Sequence, residues 1–391
     1  MTQPLSYVGQ PSQADFRQST AQSAASRALR SLASRLGCGD AQIGGWLAAS
    51  LVCTGLVYSR SLNNEFIRDD NAEIVRNHAL ASWSFIWKSM VSDAWWWRDP
   101  LHLPQSSYYR PLQLLWFWSN FHLFALERTG WHAGLIAVHL LAVWVLFRVA
   151  ALLTGNRHAA LFATVIFALM PTHADALMNP AAIASSLNTL FLLGALELYL
   201  RHRSIETLEA PWRVRLLAGS IALFGCALLT YEQAAIFPVL IALYEYLFGP
   251  SEKAPGEMSI AGKIRRAIAC TVPFLAVLAA YFGLRIWVLG FIVGPENPMT
   301  VGQVALTLPR AFFRYLTLIA LPWYAGPVNR LRIVDGIGAP GFVEPALALA
   351  VLMACTWLLI RNHPHRRLYS VLHRLDDRRA RAGIGPEPAF H

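Results

Sequence analysis

Long apolar runs separated by short polar segments are the dominant pattern along the chain. Most runs approach the roughly 20 residues that an α-helix needs to cross a bilayer. The first extends from about 43 to 58, and later runs begin near residues 111, 132, 161, 181, 216, 234, 268, 305 and 342. The pattern predicts an all-α, polytopic transmembrane bundle of about 8–10 apolar helices, one or two of them interfacial or re-entrant.

Composition supports a membrane protein. Of the 391 residues, 55% are hydrophobic and 14% are charged, whereas soluble domains carry about 25% charged residues. A soluble enzyme, a disordered chain and a nucleic-acid-binding protein are all disfavoured. The net charge of +10 is better explained by basic cytoplasmic loops that contact membrane lipids. The five cysteines lie in apolar stretches or in the basic N-terminal segment, so we predict no disulfides.

Basic segments predict the orientation, because positively charged loops stay in the cytoplasm. Residues 1–42 form a basic, polar cytoplasmic tail that leads into a retained signal anchor, with an organellar transit peptide as the alternative. Residues 43–361 form the transmembrane bundle, with a large outer loop at 60–110. Residues 362–391 form a second, Arg-rich cytoplasmic tail. Counting crossings between the basic segments leaves 111–127, and also 304–322, as interfacial or re-entrant.

Asp69 and Asp70 follow the first apolar run and are the first candidates for chemistry. Adjacent carboxylates repel each other and are desolvated at a bilayer edge, and both effects raise proton affinity. A carboxylate in such a setting can act as a general base on a hydroxyl. The alternative is that one of the two caps a short helix starting near Asn71. A Ca²⁺ site would need more ligands than this segment offers.

Four further polar residues lie at the ends of predicted spans. His173 and Asp175 in MPTHADAL could form a metal pair or a donor-phosphate site, and a histidine bonded to a nearby carbonyl is the alternative. The sequence therefore indicates no certain cofactor and leaves a divalent cation open. Arg110 could hold a phosphate or extend toward lipid headgroups. Glu232 in TYEQAAIFP is a candidate because ionisable residues at membrane depth are expensive.

Five tryptophans in the outer loop are consistent with an interfacial aromatic belt, with sugar stacking as the alternative. They are Trp83, Trp87, Trp95, Trp96 and Trp97.

The order of these features resembles the integral-membrane GT-C glycosyltransferases, in particular the protein O-mannosyltransferase superfamily and the bacterial relatives of its TPR-linked members. The resemblance covers about residues 48–323. It is carried by FIRDDNAEIVRN, YYRPLQLLWFWSNFHLF, WHAGLIAVH, MPTHADALMNPAAIASSLNTLFLL, TYEQAAIFPVLIALYEYL and YFGLRIWVLG.

This resemblance implies transfer of mannose or a similar hexose from a polyprenyl-phosphate donor to an acceptor hydroxyl. The acceptor would be a protein Ser or Thr, a glycan or a lipid. Transfer would invert the anomeric carbon and occur on the periplasmic side of a bacterial inner membrane. By position, Asp69 matches the catalytic acid of the family and Asp70 its acidic neighbour. Arg110, His173 and Arg285 would hold the donor phosphate, with polar support from Asp175 and Glu232.

Some positions depart from the family pattern. Asp175 stands where relatives commonly have Glu, Ile183 where an Arg is frequent, Tyr231 where a Lys is frequent, and Leu135 where an Asn is usual. The lost positive charge keeps open a non-catalytic membrane partner or scaffold. A transporter of lipid-linked substrates is the other alternative, although we see none of the internal repeats typical of transporters.

Overall fold

A computed structural model describes residues 41–99, 101, 104–204, 210–249, 259–292, 299–322 and 331–362. Most of both predicted tails, including Cys38, lies outside these residues. The other cysteines, Cys53, Cys226, Cys270 and Cys355, are free thiols. The described residues form twelve α-helices and no strand, which confirms the all-α class. The helices are α1 Ala41–Tyr58, α2 Ser84–Val91, α3 Pro111–Phe124, α4 Arg128–Thr154, α5 Arg157–Ala168, α6 Ala174–Met178, α7 Ile183–Ser204, α8 Ala210–Thr230, α9 Phe237–Phe248, α10 Ile260–Leu289, α11 Val301–Ala320 and α12 Pro340–Asn362.

Several helices are long and apolar enough to cross a membrane. Four meet both criteria within the described residues: Arg128–Thr154, Pro180–Ser204, Ala210–Thr230 and Ile260–Leu289. A fifth crossing is formed if Arg157–Ala168 and Pro171–Met178, which meet at a bend of 47°, are counted as one span. The chain is therefore a polytopic membrane protein. The crossings expected at 43–58, 233–249 and 342–360 contain helices α1, α9 and α12, which are not among these four.

The bend after α5 has a local cause in the sequence. Pro171 and Pro180 each begin a short 3-10 turn, on either side of the five-residue helix α6. Proline lacks a backbone N–H and clashes with the preceding turn, so neither position can continue a straight helix. The break exposes the polar segment between the two prolines at the end of the bundle, instead of burying it within a span.

The outer loop packs onto the bundle mainly through one apolar cluster. The loop contributes Ile74, Leu80, Phe85 and Trp96 to this cluster. The helices contribute Leu114 and Phe117 of α3, Trp131 and Leu135 of α4, and Ile183 and Leu187 of α7. Burial of this much apolar surface fixes the loop relative to the helices that carry the other candidate residues. It also removes Trp96 from the expected aromatic belt, because Trp96 is buried, whereas Trp87 on α2 and Trp83 just before it are exposed.

Two buried ion clusters lie at the opposite end of α7, about 30 Å away by helix rise. In one cluster, the Glu245 carboxylate contacts Arg203 Nε at 2.7 Å and Arg266 Nε at 3.5 Å, and accepts a 2.7 Å hydrogen bond from the Tyr199 hydroxyl. In the other, Glu197 contacts Arg148 at 2.7 Å and also Arg201. Several of the arginines predicted to be cytoplasmic are thus neutralised inside the fold.

The two segments expected at the membrane interface are helical but are not among the four candidate crossings. Helix α3 has only 14 residues. Helix α11 has 20 residues but carries Arg310 and Arg314 in its middle. Their placement at the interface stays a prediction.

Candidate functional site

Asp70 anchors the outer loop to the start of α7. One carboxylate oxygen accepts a 3.0 Å hydrogen bond from the backbone N–H of Ile67, and the other accepts a 2.7 Å bond from that of Ala181. The side chain is fully buried, and burial raises the pKa of Asp70 to about 6. Asp70 precedes a π-helical turn at Asn71–Val75 but makes no capping hydrogen bond to it. The helix-cap interpretation is therefore wrong for Asp70.

The backbone N–H and the backbone carbonyl of Ala181 are both held by hydrogen bonds. Its N–H also lies 3.1 Å from the Asn179 side-chain oxygen, and its carbonyl accepts a 3.0 Å hydrogen bond from the Gln113 side-chain amide. Gln113 comes from α3 and Asp70 from the outer loop. The backbone of one residue thus joins three segments, and this arrangement limits how far the loop can move.

Asp69 lies beside this anchor but faces solvent. Its neighbour Arg68 has a φ of 47°, a left-handed conformation that non-glycine residues rarely adopt. The Arg68 guanidinium lies 3.7 Å from the Asp175 carboxylate, and both side chains are about half exposed. The two adjacent aspartates therefore differ in setting: Asp70 is buried and bonded, while Asp69 is exposed.

Glu73 is a candidate that the sequence interpretation missed. It accepts a 3.2 Å hydrogen bond from the indole N–H of Trp95, and burial raises its pKa to about 7. Its carboxylate also interacts electrostatically with Asp69, Arg110 and Arg98. The spacing of four residues from Asp69 was the available signal, because a helical turn places such positions on one face.

Arg110, Glu232 and Arg285 form one ion cluster. Arg110 donates to Glu232 through Nη2 at 2.9 Å and Nε at 3.0 Å, and Arg285 Nη1 lies 3.3 Å from the same carboxylate. The Arg110 guanidinium also stacks on Tyr108 at 4.3 Å and Tyr231 at 4.4 Å from the ring centres. Arg110 is largely buried in this contact, so the interpretation in which it extends toward headgroups is wrong.

Arg285 is oriented by two further hydrogen bonds. Its Nη2 donates to the Ser107 carbonyl at 2.6 Å, and its Nε donates to the Ile292 carbonyl at 3.3 Å. These bonds tie α10 to the end of the outer loop. Two guanidinium groups against one carboxylate leave this cluster with a net charge of about +1.

His173 lies apart from Asp175, at the wall of a cavity of about 650 Å³. Its ring packs on Phe167 at 4.5 Å and on His139 at 5.5 Å between ring centres. Its Nε2 is buried without a hydrogen-bond partner among the described residues. Polar side chains line the cavity, and Tyr231 connects it to Arg110. They are Thr172, Ser185, Ser186, Thr189, Tyr231, Gln233 and Tyr315.

The structure thus groups the predicted residues in three places. Asp69 and Asp70 lie in the loop with Asp175 nearby, Arg110 lies with Glu232 and Arg285, and His173 lies in the cavity. His173 and Asp175 point to different surroundings, so they do not form the predicted metal pair. Within the described parts of the chain, no three His, Cys, Asp or Glu side chains gather where they could hold a metal ion.

The chain is similar to several curated membrane proteins. It is 28% identical over 152 residues to a Caenorhabditis elegans protein named Protein O-mannosyl-transferase F38B6.6, covering 38% of this chain and 22% of that protein. It is 29% identical over 229 residues to Homo sapiens Protein O-mannosyl-transferase TMTC1, covering 56% of this chain and 25% of that protein. The Drosophila melanogaster protein Tmtc2 is 27% identical over 278 residues, covering 70% and 28%.

The chain spans about a quarter of the length of the curated relatives it matches. No family model matches it. No solved structure matches it at a significant level. The resemblance noted from the ordered motifs and the similarity to several proteins that share one name agree. Both therefore support a place for this chain in the superfamily of the protein O-mannosyltransferases, which it resembles at 27–29% identity.

Proposed function

We propose that this protein transfers mannose or a similar hexose from a polyprenyl-phosphate donor to an acceptor hydroxyl, with inversion at the anomeric carbon. Asp69 takes the proton of the acceptor hydroxyl, and the acceptor oxygen forms the new bond to the anomeric carbon. The bond from that carbon to the phosphate oxygen breaks, and polyprenyl phosphate leaves. The reaction takes place on the periplasmic side of a bacterial inner membrane, with both termini in the cytoplasm.

The different settings of the adjacent aspartates carry this proposal. Two backbone amides hold the buried Asp70. The exposed Asp69 is the preceding residue, so its backbone is held close to that fixed point. A general base must reach its substrate and must also be held in position. In this pair, Asp69 is accessible and Asp70 holds the segment in position. Phosphate is a stable leaving group, so the reaction needs little help from a general acid.

The Arg110–Glu232–Arg285 cluster supports donor binding. A phosphodiester carries one negative charge, which matches the cluster's net charge of about +1. Arginine forks bind phosphate oxygens in pairs. Tyr231 stands where relatives often have lysine, and its ring stacks on Arg110. This position therefore still contributes to the cationic site, through the arginine that it orients.

The His173 cavity supports binding of the sugar. Ser185, Ser186 and Thr189 present hydroxyls, and Gln233 presents an amide, which suit the many hydroxyl groups of a hexose. Tyr231 lies both on the cavity wall and against Arg110. A sugar in the cavity would therefore have its phosphate directed toward the arginines.

The test is label transfer from polyprenyl-phosphate mannose in membranes that contain wild type, Asp69→Asn or Glu65→Gln at equal levels. Glu65 is a matched control because it is an acid of the same loop, is 81% exposed and pairs with Arg128 at the surface. We expect Asp69→Asn to lose transfer by about 100-fold or more, while Glu65→Gln keeps it. Equal transfer by Asp69→Asn and wild type would refute the proposal. Absence of transfer by wild type from every donor would favour the non-catalytic partner.

A further inference from the structure

Helix α11 has two chemically different faces. Leu308, Phe312, Tyr315 and Ile319 form an exposed apolar stripe, each more than half exposed. Arg310, Arg314 and Thr317 lie on the opposite face, at the spacing of three and four residues that places them on one side of a helix. A helix with such faces typically lies along a membrane interface, with its apolar side in the lipid.

The basic face of α11 lines a cavity of about 990 Å³ shared with α12. Arg310 and Arg314 come from α11, Arg332 comes from the segment before α12, and Glu344 is the one acid in the lining. Three guanidinium groups and one carboxylate leave the lining with a net charge of +2. A cationic cavity of this kind attracts phosphate groups.

A second observation points to the same chemistry. A Cβ atom at Gly341 would lie 2.6 Å from Arg310 Nη1, so the guanidinium rests against the first turn of α12. The N-terminus of a helix carries a partial positive charge and exposes N–H groups. An anion placed between the guanidinium and the helix end would be stabilised by both, and Glu344 supplies only one negative charge to the lining. The arrangement therefore favours a bound anion.

The rest of the lining is apolar and includes Phe313, Leu331, Pro340 and Pro345. We propose that this cavity binds the phosphate headgroup of an anionic membrane lipid, with its acyl chains beside the apolar side chains at the rim. The site is separate from the Arg110 cluster. Helix α11 also carries Tyr315 into the wall of the His173 cavity, so a lipid held here would fix that wall.

The test uses the full-length protein in detergent, with lipid retention measured by native mass spectrometry. The probes are phosphatidylglycerol, phosphatidylcholine and millimolar inorganic phosphate as a competitor. The variants are Arg310→Gln combined with Arg332→Gln, Glu344→Gln, and Arg128→Gln as an arginine control on another surface. No sugar donor is added, so the result is independent of the proposed transferase activity.

We expect wild type and Arg128→Gln to retain phosphatidylglycerol in preference to phosphatidylcholine. The double variant should retain it about tenfold less or weaker still, because each charge-assisted bond to phosphate is lost. Glu344→Gln raises the lining charge and should increase retention, a gain that misfolding cannot mimic. Unchanged retention in both variants would overturn the proposal. Displacement of the lipid by inorganic phosphate at equal affinity would overturn a lipid headgroup as the ligand.

Discussion

The carboxylate of Asp70 and the backbone N–H of Ala181 are joined by a 2.7 Å hydrogen bond that spans 111 positions of sequence. The bond fixes the outer loop to the 3-10 turn that leads into α7. It also explains why two adjacent aspartates cannot play the same part, since the buried one is already occupied by backbone donors.

Asp70→Asn is expected to destabilise the protein. An asparagine offers one acceptor oxygen, so its NH₂ group must face one of the two backbone donors at Ile67 and Ala181. We expect a loss of about 1–3 kcal/mol in the free energy of unfolding. Asp69→Asn, on an exposed side chain, should change it by less than about 0.5 kcal/mol. Thermal unfolding in detergent measures both, and equal shifts would contradict the anchoring role of Asp70.

Glu73→Gln should remove a pH dependence of stability. Burial raises the pKa of Glu73 from 4.5 to about 7, so the folded protein binds this proton more tightly than the unfolded chain. The stabilisation is present below pH 4.5 and is lost as the pH rises through 7. Between about pH 5 and about pH 8, the free energy of unfolding of the variant should rise by roughly 2 kcal/mol relative to that of wild type. Chemical denaturation across that range measures the difference, and a difference that stays constant with pH would contradict this account.

Glu232→Gln should destabilise the cluster that joins the loop to α10. The substitution leaves Arg110 and Arg285 close together without a counter-charge. Removing one partner of a buried ion pair lowers the free energy of unfolding by about 3–5 kcal/mol. We expect a loss of about 2 kcal/mol here, because Glu232 is partly exposed. Arg285→Gln should lower the free energy of unfolding by less than Glu232→Gln does, because Arg110 still pairs with Glu232. Chemical unfolding of both variants measures the order, and the reverse order would argue against this account.

Arg110→Lys should weaken donor binding although it keeps the charge. Lysine lacks the planar fork that bonds Glu232 and the face that stacks on Tyr108 and Tyr231. We expect the KM for the polyprenyl-phosphate sugar to rise by about tenfold, with a smaller effect on kcat. Arg128→Lys, at an exposed pair, is the control. An unchanged KM in Arg110→Lys would remove Arg110 from the donor site.

Tyr199→Phe tests the cluster at the far end of α7. The variant removes the 2.7 Å hydrogen bond to Glu245 but leaves the Arg203 contact with the same carboxylate. We expect a loss of about 1 kcal/mol in stability without a change in sugar transfer. Unfolding and transfer assays on one preparation separate the two effects. If the variant lost sugar transfer but kept the stability of wild type, the Glu245 cluster would be coupled through α7 to the candidate site.

Much of the fold could be predicted from the sequence because a bilayer sets the length of a crossing helix. The apolar runs around α4, α7, α8 and α10 therefore give the helices directly. The grouping of the site residues could not be predicted in the same way. Arg110 and Glu232 lie 122 positions apart, and their spacing does not indicate which helix ends meet. Glu73 was missed because its burial depends on Trp95, which folds over it from 22 positions away.

The attachment of the loop to Ala181 has a consequence for biosynthesis. The segment around Asp70 is synthesised well before residue 181, because synthesis proceeds at about 5–20 residues per second. Until then, the carboxylate has no distant amide to bond. The final shape of the outer loop must therefore form late, after α4 and α5 have been synthesised, and until then the newly made loop is open to proteases and chaperones.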